Sequence, residues 1–465
     1  MKKIIVLMTL LVSMIAFGEP VIPETQVGKL FSDWLTAFNA ADQDKLLAFR
    51  QTYNPWWTLD QALGFRQQTG GFELVDIGKN QPLSLVVVVK DKNAQKTFKL
   101  SLSLNSAEPP FNLDMPIQPI EQPADEVVSR LSQADALTAL IQHVDALAKE
   151  DKFAGALLIA RQGKILLKKS WGYANRELKT PNTLNTQFRL GSMNKMFTSV
   201  AILQLVDAGK LSLDDVIGKY MPDYPNKDIA TKVTVGHLLS HTGGTGDMFG
   251  AEFFANRLEL KAHQDYVDLF GSRGLDHEPG SKFNYSNYGY VLLGALIERV
   301  SGVSYYSYVE GHIFKPCGMT STASLPESEY VKNRAGGYMK QKGEWISNAD
   351  TLPYRGMAAG GGYSTVGDLF RFATALESGK LVSKHLLDEA ITPHFKNGSF
   401  GYGYGFEVWN EGTLLSFGHS GGAPGMNGDL FIYPKLRGVV VSLSNLDPPA
   451  ADDLVKYYSN RMPDK

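Results

Sequence analysis

The chain has 465 residues, which is more than one ordinary hydrophobic core organises, so two domains are expected. Its apolar, aromatic and charged fractions of 43%, 11% and 20% are those of a soluble globular protein. The formal net charge of −2, with neither sign gathered in a long run, gives no reason to expect nucleic acid or an anionic membrane as partner. The single cysteine, Cys317, excludes an internal disulfide.

The first residues have the pattern of a secretory signal peptide. A basic start precedes an apolar run over residues 4–17, which is too short to span a bilayer. Ala16 and Gly18 supply small residues for cleavage, so residues 1–18 are predicted to be a signal peptide. The protein is therefore expected to be exported, to the periplasm or secreted from a bacterium, with no integral membrane segment in the mature chain.

Residues 19–104 are predicted to form a small α+β accessory domain. Apolar spacing predicts helices over 26–39 and 43–52, followed by strands over 72–77, 83–90 and 97–104. Helices followed by a strand meander resemble a nuclear transport factor-like domain. This region offers no catalytic set of residues, so its role stays open.

Residues 105–124 are predicted to be a linker because they concentrate proline, which disfavours helices and interior strands. Residues 125–465 would form the larger domain. Strand patterns flank a mostly helical middle at residues 192–387. We therefore predict one antiparallel sheet, completed by the C-terminal strands, with an all-helical subdomain inserted into it.

The start of one helix carries the strongest chemical signal. Residues 193–206 are nearly all apolar, which predicts a buried helix, yet Ser192 and Lys195 lie at its start on one face. In one interpretation Ser192 caps the helix and the Lys195 side chain extends to water. In the other, Ser192 is a nucleophile at a helix N-terminus, and Lys195 is its base, with an amine pKa lowered by loss of water.

Two later segments carry the polar groups that the second interpretation requires. Tyr285 and Asn287 precede an apolar helix, and a tyrosine hydroxyl beside a neutral lysine can share in proton transfer. His419 lies near the end of a glycine-rich strand, whose backbone N–H groups could hold a substrate carbonyl oxygen. A core tyrosine, a capping asparagine and a structural histidine are the alternatives for these residues taken singly.

Two other motifs fit less well. Residues 418–422 match the G-x-S-x-G elbow of α/β-hydrolases, with Ser420 as nucleophile, but no histidine follows Ser420 in the sequence. His237 and His241 have the spacing of a zinc pair but lack the glutamate of H-E-x-x-H. No metal and no cofactor are therefore expected.

In order and spacing, Ser192-Met-Asn-Lys195, Tyr285-Ser-Asn287 and His419-Ser-Gly421 resemble the three motifs of the penicillin-recognising serine hydrolases. This group contains class C β-lactamases, D,D-peptidases, D-aminopeptidases and related esterases. The similarity runs from about residue 134 to residue 445. It implies an α/β (α+β) fold with a β-lactamase-like antiparallel sheet flanked by helices.

The resemblance also implies roles for single residues. Ser192 would be the acylated nucleophile, with Lys195 and Tyr285 as the proton-transfer pair. The N–H groups of Ser192 and Gly422 would form the oxyanion hole. The expected substrate contacts are Asn287, His419, Ser420, Gly421 and Gly422.

The third motif bears on specificity. His-Ser-Gly stands where class C β-lactamases have Lys-Thr-Gly, and a histidine that is mostly neutral at pH 7 offers less positive charge to a β-lactam carboxylate. The resemblance thus implies a carboxylesterase, D,D-peptidase or D-aminopeptidase acting on a small-molecule or peptide-like acyl substrate. The alternatives are a β-lactamase and a non-catalytic module of the same fold that binds peptidoglycan or another ligand.

Overall fold

The computed structural model describes residues 20–55, 57, 59–92, 97–119, 129–341, 343–411 and 414–464. The predicted signal peptide and the end of the predicted linker lie outside these ranges. The chain divides into two compact units, residues 1–127 and residues 128–465. No helix in the described ranges is both long enough and apolar enough to cross a membrane.

The first unit packs helices on an antiparallel sheet. Its helices are α1 (Gln26–Ala40), α2 (Gln43–Tyr53) and α3 (Leu59–Thr69). Its strands are β1 (Phe72–Gln81), β2 (Ser84–Asp91), β3 (Thr97–Leu104), β4 (Leu113–Asp114) and β5 (Ile117–Pro119). Aromatic rings fill its core: Trp34 stacks on Phe38 with centroids 4.9 Å apart, and Phe38 stacks on Phe72 at 5.3 Å.

Two features of this unit differ from the sequence prediction. Helix α3 was not predicted, because it contains Gly64 and its apolar spacing is weak. Strands β4 and β5 lie inside the predicted linker and both pair with β3. This corrects the linker prediction for residues 113–119. Proline is compatible with β5 because β5 lies at the edge of the sheet and ends at Pro119.

An eight-stranded antiparallel sheet organises the second unit. In sheet order its strands are β14 (Phe395–Asn397), β15 (Phe400–Tyr402), β16 (Glu407–Glu411), β17 (Leu414–Ala423), β18 (Met426–Tyr433), β19 (Gly438–Ser444), β6 (Gly155–Arg161) and β7 (Lys164–Trp171). Strand β19 pairs with β6, so the two ends of the unit form one sheet, as predicted. Three short strand pairs lie outside it: β8 (Tyr173–Asn175) with β9 (Thr180–Pro181), β10 (Phe188–Arg189) with β13 (Tyr363–Ser364), and β11 (Tyr338–Gln341) with β12 (Glu344–Ser347).

Helices cover both faces of this sheet. They are α4 (Gln133–Lys149), α5 (Lys195–Asp207), α6 (Lys227–Lys232), α7 (Val235–Leu239), α8 (Ala251–Asn256), α9 (His263–Phe270), α10 (Asn287–Ser301), α11 (Tyr305–Val309), α12 (Lys315–Cys317), α13 (Val366–Glu377), α14 (Lys384–Ala390) and α15 (Asp452–Ser459). Alternate residues of β19 face opposite ways: Val440 packs with α4 and α15, whereas Val439 and Val441 belong to the core that contains α5. The predicted fold class, a mixed fold with an antiparallel sheet flanked by helices, is thus confirmed.

Helix α5 is enclosed by this second core. Every residue from Lys195 to Leu203 is buried, which agrees with the nearly uniform apolar sequence of the helix. Helix α10 packs beside it, and β17 lies against the turn that precedes it. The three sequence motifs therefore meet at the N-terminal end of α5.

Candidate active site

Ser192 lies on a short 3-10 turn, Gly191–Asn194, that leads into α5 at Lys195. Gly191 has a φ of 53°, a left-handed conformation that glycine adopts without strain. The sequence predicted that the helix opens at Ser192. The α-helix instead begins at Lys195, and the residue before it, Asn194, has a helical backbone and makes no side-chain cap. Ser192 is therefore not the cap of α5, which leaves its hydroxyl available for Lys195.

The amine of Lys195 is fully buried and contacts three oxygen atoms. Its Nζ lies 3.1 Å from Oγ of Ser192, 2.7 Å from Oδ1 of Asn287 and 2.7 Å from the carbonyl oxygen of Ala359. A neutral amine has two N–H bonds and one lone pair. The amide and carbonyl oxygens can only accept, so in the neutral form the lone pair is available to the Ser192 hydroxyl proton.

Burial lowers the pKa of Lys195 from 10.5 to about 7, although the negative charges of Asp247 and Glu407 oppose this shift. The Nζ atom also lies 4.7 Å from the ring centroid of Tyr285 and 5.3 Å from that of Tyr290. The faces of these rings attract a charged amine and so oppose part of the effect of burial. Near neutral pH a substantial fraction of Lys195 is therefore uncharged and able to accept a proton.

The Tyr285 ring lies beside the Lys195 amine, and the Ser192 side chain is near enough to influence the pKa of the Tyr285 hydroxyl. Burial raises the pKa of Tyr285 well above 10, and the nearby Ser192 side chain offsets only part of this effect. Tyr285 therefore keeps its proton at neutral pH. Of the predicted proton-transfer pair, Lys195 is suited to accept the first proton and Tyr285 to donate one.

Asn287 begins α10 and is oriented by Asp247. The Asn287 side-chain amide donates to Oδ2 of Asp247 at 3.1 Å, and its backbone N–H donates to Oδ1 at 3.0 Å. A carboxylate only accepts, so the side-chain NH₂ must face Asp247 and the carbonyl must face Lys195. Asp247 thereby fixes which end of the amide meets the lysine.

Two glycines let β17 approach the nucleophile turn. A Cβ on Gly421 would lie 2.0 Å from the carbonyl oxygen of Leu190 and 2.9 Å from the backbone nitrogen of Ser192. The backbone nitrogen of Gly422 lies 2.9 Å from the position that a Cβ on Gly191 would occupy. The backbone nitrogens of Ser192 and Gly422 thus belong to one close junction, as an oxyanion hole requires.

The polar side chains of the third motif are engaged within the protein. His419 is 1% exposed, and its Nε2 lies 2.9 Å from the Tyr402 hydroxyl while its Nδ1 lies 2.5 Å from the Ser420 carbonyl oxygen. Burial lowers the pKa of His419. The half-buried Ser420 donates its hydroxyl to Oε1 of Glu407 at 2.6 Å. The structure therefore places His419 behind the surface of the cleft.

Asp247, Tyr402 and Glu407 also belong to the site, although no sequence motif predicts them. Their contacts join segments far apart in sequence, such as Asp247 with Asn287, so no local spacing distinguishes them. The spacing of His237 and His241 resembles that of a zinc pair. Nδ1 of His241 instead accepts from the backbone N–H of Ser286 at 3.1 Å, and its Nε2 lies 3.0 Å from the Tyr402 hydroxyl.

Comparison with known proteins agrees with this geometry. Residues 140–461 match the Beta-lactamase family. Penicillin-binding protein 4* of Bacillus subtilis is 34% identical over 322 residues, which cover 65% of this chain and 70% of that protein. The penicillin-binding protein of Bacillus halodurans superposes with a TM-score of 0.63 at 30% identity, covering 68% of this chain and 99% of that one.

A second solved structure is the D-stereospecific amidohydrolase from a Streptomyces species. It superposes with a TM-score of 0.59 at 26% identity, and the match covers 69% of this chain and 97% of the amidohydrolase chain. The family match spans well over half of the present chain and includes all three motifs. The chain therefore belongs to the Beta-lactamase family and is a serine hydrolase of the penicillin-recognising group.

Proposed function

We propose that this hydrolase cleaves an ester or a peptide-like amide through an acyl-enzyme formed on Ser192, as a carboxylesterase, D,D-peptidase or D-aminopeptidase. One observation carries the proposal: a buried amine with a pKa of about 7 lies 3.1 Å from the Ser192 hydroxyl. That amine is the base that a serine nucleophile needs near neutral pH.

In the proposed reaction, Oγ of Ser192 attacks the substrate carbonyl carbon while its proton passes to Nζ of Lys195. The N–H groups of Ser192 and Gly422 hold the oxygen that becomes negative. Tyr285 donates its proton to the leaving group and regains one from Lys195, and the bond to the leaving group breaks. Water then attacks the acyl-enzyme by the same steps in reverse order and releases the acid.

The charges around the site bear on the substrate class. The charged groups that act on Lys195 are Asp247 and Glu407, both acidic, and His419 is buried with a lowered pKa. A substrate carboxylate would meet like charges at this end of the cleft, at a considerable cost in binding. We therefore favour an ester or a D-aminoacyl amide over a β-lactam or a peptide with a terminal carboxylate. The Streptomyces relative, described as D-stereospecific amidohydrolase, supports the second of these classes.

We also propose that the protein is exported, on the basis of the signal-like pattern of residues 1–18. Expression of the full chain in a bacterium with an outer membrane, followed by N-terminal sequencing of the protein from each cell fraction, tests this. The expected product begins near Glu19 and lies in the periplasm or the medium. An uncleaved chain in the cytoplasmic fraction would contradict export.

Replacing the nucleophile tests the central proposal. The Ser192→Ala variant should lose hydrolysis of a short-chain acyl ester and labelling by a fluorophosphonate, because no other hydroxyl contacts Nζ of Lys195 in the described structure. The Ser420→Ala variant should still be labelled at Ser192. A label at Ser420 would favour the α/β-hydrolase interpretation, and wild-type protein that forms no adduct with any acyl donor would favour the non-catalytic module.

A substrate panel tests the charge argument. We expect kcat/KM for a short-chain ester and a D-aminoacyl amide to exceed that for a chromogenic cephalosporin by about tenfold or more. The matched pair is a D-alanyl-D-alanine peptide and the same peptide with its C-terminal carboxylate converted to an amide. The amide should be the better substrate. Preference for the free carboxylate would contradict the expected charge repulsion and favour a D,D-peptidase or a β-lactamase.

The proposed base predicts a pH dependence. Only neutral Lys195 accepts the proton, so kcat/KM should rise with pH through a midpoint of about 7. The Asp247→Asn variant removes a negative charge that raises the pKa of Lys195, so its midpoint should move to lower pH by about 0.5–1 unit.

The matched control is Asp228→Asn, since Asp228 is an exposed carboxylate paired with Lys232 on helix α6. Its pH midpoint should equal that of the wild type. A midpoint in Asp247→Asn that stays in place or moves upward would show that Lys195 does not set this limb of the profile.

A further inference from the structure

We infer that His241, Tyr402 and His419 form a hydrogen-bonded chain of fixed direction. This chain holds Tyr285 in position at one end and strand β17 in position at the other. We call these three residues the His–Tyr–His chain. They are positioning residues, since they act through groups that touch the substrate. The positioning role rests on the function proposed above, whereas the direction of the hydrogen bonds does not.

One backbone donor sets the direction. The N–H of Ser286 donates to Nδ1 of His241 at 3.1 Å, so this nitrogen must be the acceptor of a neutral ring. His241 therefore carries its proton on Nε2 and donates to the Tyr402 hydroxyl at 3.0 Å. The Tyr402 hydroxyl is then left to donate its own proton to Nε2 of His419 at 2.9 Å.

This order gives the two histidines opposite tautomers. Because Nε2 of His419 accepts from Tyr402, its proton must be on Nδ1. That position suits a donor, since Nδ1 lies 2.5 Å from the carbonyl oxygen of Ser420 and 3.3 Å from Oε1 of Glu407. Every link in the chain then has one donor and one acceptor.

His241 holds the backbone on both sides of Tyr285. Its carbonyl oxygen accepts from the N–H of Asn284 at 2.8 Å, and its Nδ1 accepts from that of Ser286. The rings of His241 and Tyr285 lie with centroids 4.1 Å apart. His241 itself has a φ of 58°, an uncommon conformation for a residue other than glycine. A strained residue kept at this point is consistent with a positioning role.

The other end of the His–Tyr–His chain contacts strand β17. His419 contacts the carbonyl oxygen of Ser420, and the next residue, Gly421, is the one that packs against the turn carrying Ser192. Oε1 of Glu407 also accepts from the backbone N–H of Ser420 at 3.1 Å. The chain therefore connects the backbone around Tyr285 with the backbone beside the nucleophile.

The surroundings keep both rings neutral. Burial lowers the pKa of His241 well below 6.5, and the Lys195 amine, when charged, lowers it further. Burial also lowers the pKa of His419, against the opposing effect of Glu407. A second proton on His241 would sit on Nδ1 and face the backbone N–H of Ser286. The hydrogen bond between these two groups would then be lost.

The tautomers can be measured directly. Long-range proton–nitrogen spectra of protein labelled with 15N-histidine should be recorded at pH 7.5. They should show His241 protonated on Nε2 and His419 protonated on Nδ1. The signals of these two rings are identified because both change in the Tyr402→Phe variant. The Ser192→Ala variant should show the same two tautomers, so this measurement does not depend on turnover. Two rings of the same tautomer, or a charged ring, would overturn the inference.

Turnover tests the positioning role. Tyr402→Phe keeps the ring but removes the central link, so kcat for an ester should fall by about tenfold. Its KM should stay within about twofold of the wild type, because the substrate contacts remain. The matched control is Tyr266→Phe, since the Tyr266 hydroxyl is buried and has no hydrogen-bond partner among the described residues. It should match the wild type, and an unchanged kcat in Tyr402→Phe would overturn the positioning role.

Two changes at His241 separate its contacts. His241→Asn keeps an acceptor for the Ser286 N–H and tolerates the positive φ, whereas His241→Ala loses the acceptor. We expect His241→Asn to retain more of the fluorophosphonate labelling rate at Ser192 than His241→Ala, with both measured below their unfolding temperatures. Equal labelling rates in the two variants would show that the His241 acceptor does not hold Tyr285 in position.

Discussion

The burial of the Lys195 amine is the constraint on which the site depends. An ammonium enclosed in an apolar core without a counterion is costly, so the lysine is held partly in its neutral form. Three neutral oxygen atoms contact it, and the acidic groups act from farther away. Asn287 lies between the amine and Asp247, and a direct ion pair there would raise the pKa of Lys195 and keep the amine charged near neutral pH. The Asp247 carboxylate thus orients the Asn287 amide, and the amide contacts Lys195 in place of a direct ion pair.

Close backbone approach is the second requirement. The strand β17 reaches the turn that carries Ser192 only because Gly421 leaves room for it, and the proposed oxyanion hole depends on this approach. The sheet behind this strand is covered on both faces by helices, so the strand is held by two cores. Preorganised donors of this kind need no rearrangement when charge develops on the substrate oxygen.

The third motif shows how one residue type changes meaning with its surroundings. A histidine at the end of a strand can serve as a substrate contact, a base or a structural group. Here the imidazole of His419 is buried between Tyr402 and the Ser420 carbonyl, so its polar atoms are used within the protein. The electrostatic character of the cleft then depends on Asp247 and Glu407 rather than on this histidine.

The sequence by itself determined the family, the fold class and the contact between Ser192 and Lys195. Local spacing is sufficient for the last of these, because residues at i and i+3 share a face in a 3-10 turn as well as in an α-helix. Only the tertiary structure decided the start of α5 at Lys195, the strands inside the predicted linker, and the burial of His419. It also brought Asp247 to Asn287 and Tyr402 to two histidines, contacts between residues 17 to 161 positions apart. Such contacts arise from the packing of β15, β17 and α10, and packing over these separations leaves no periodic trace in a single sequence.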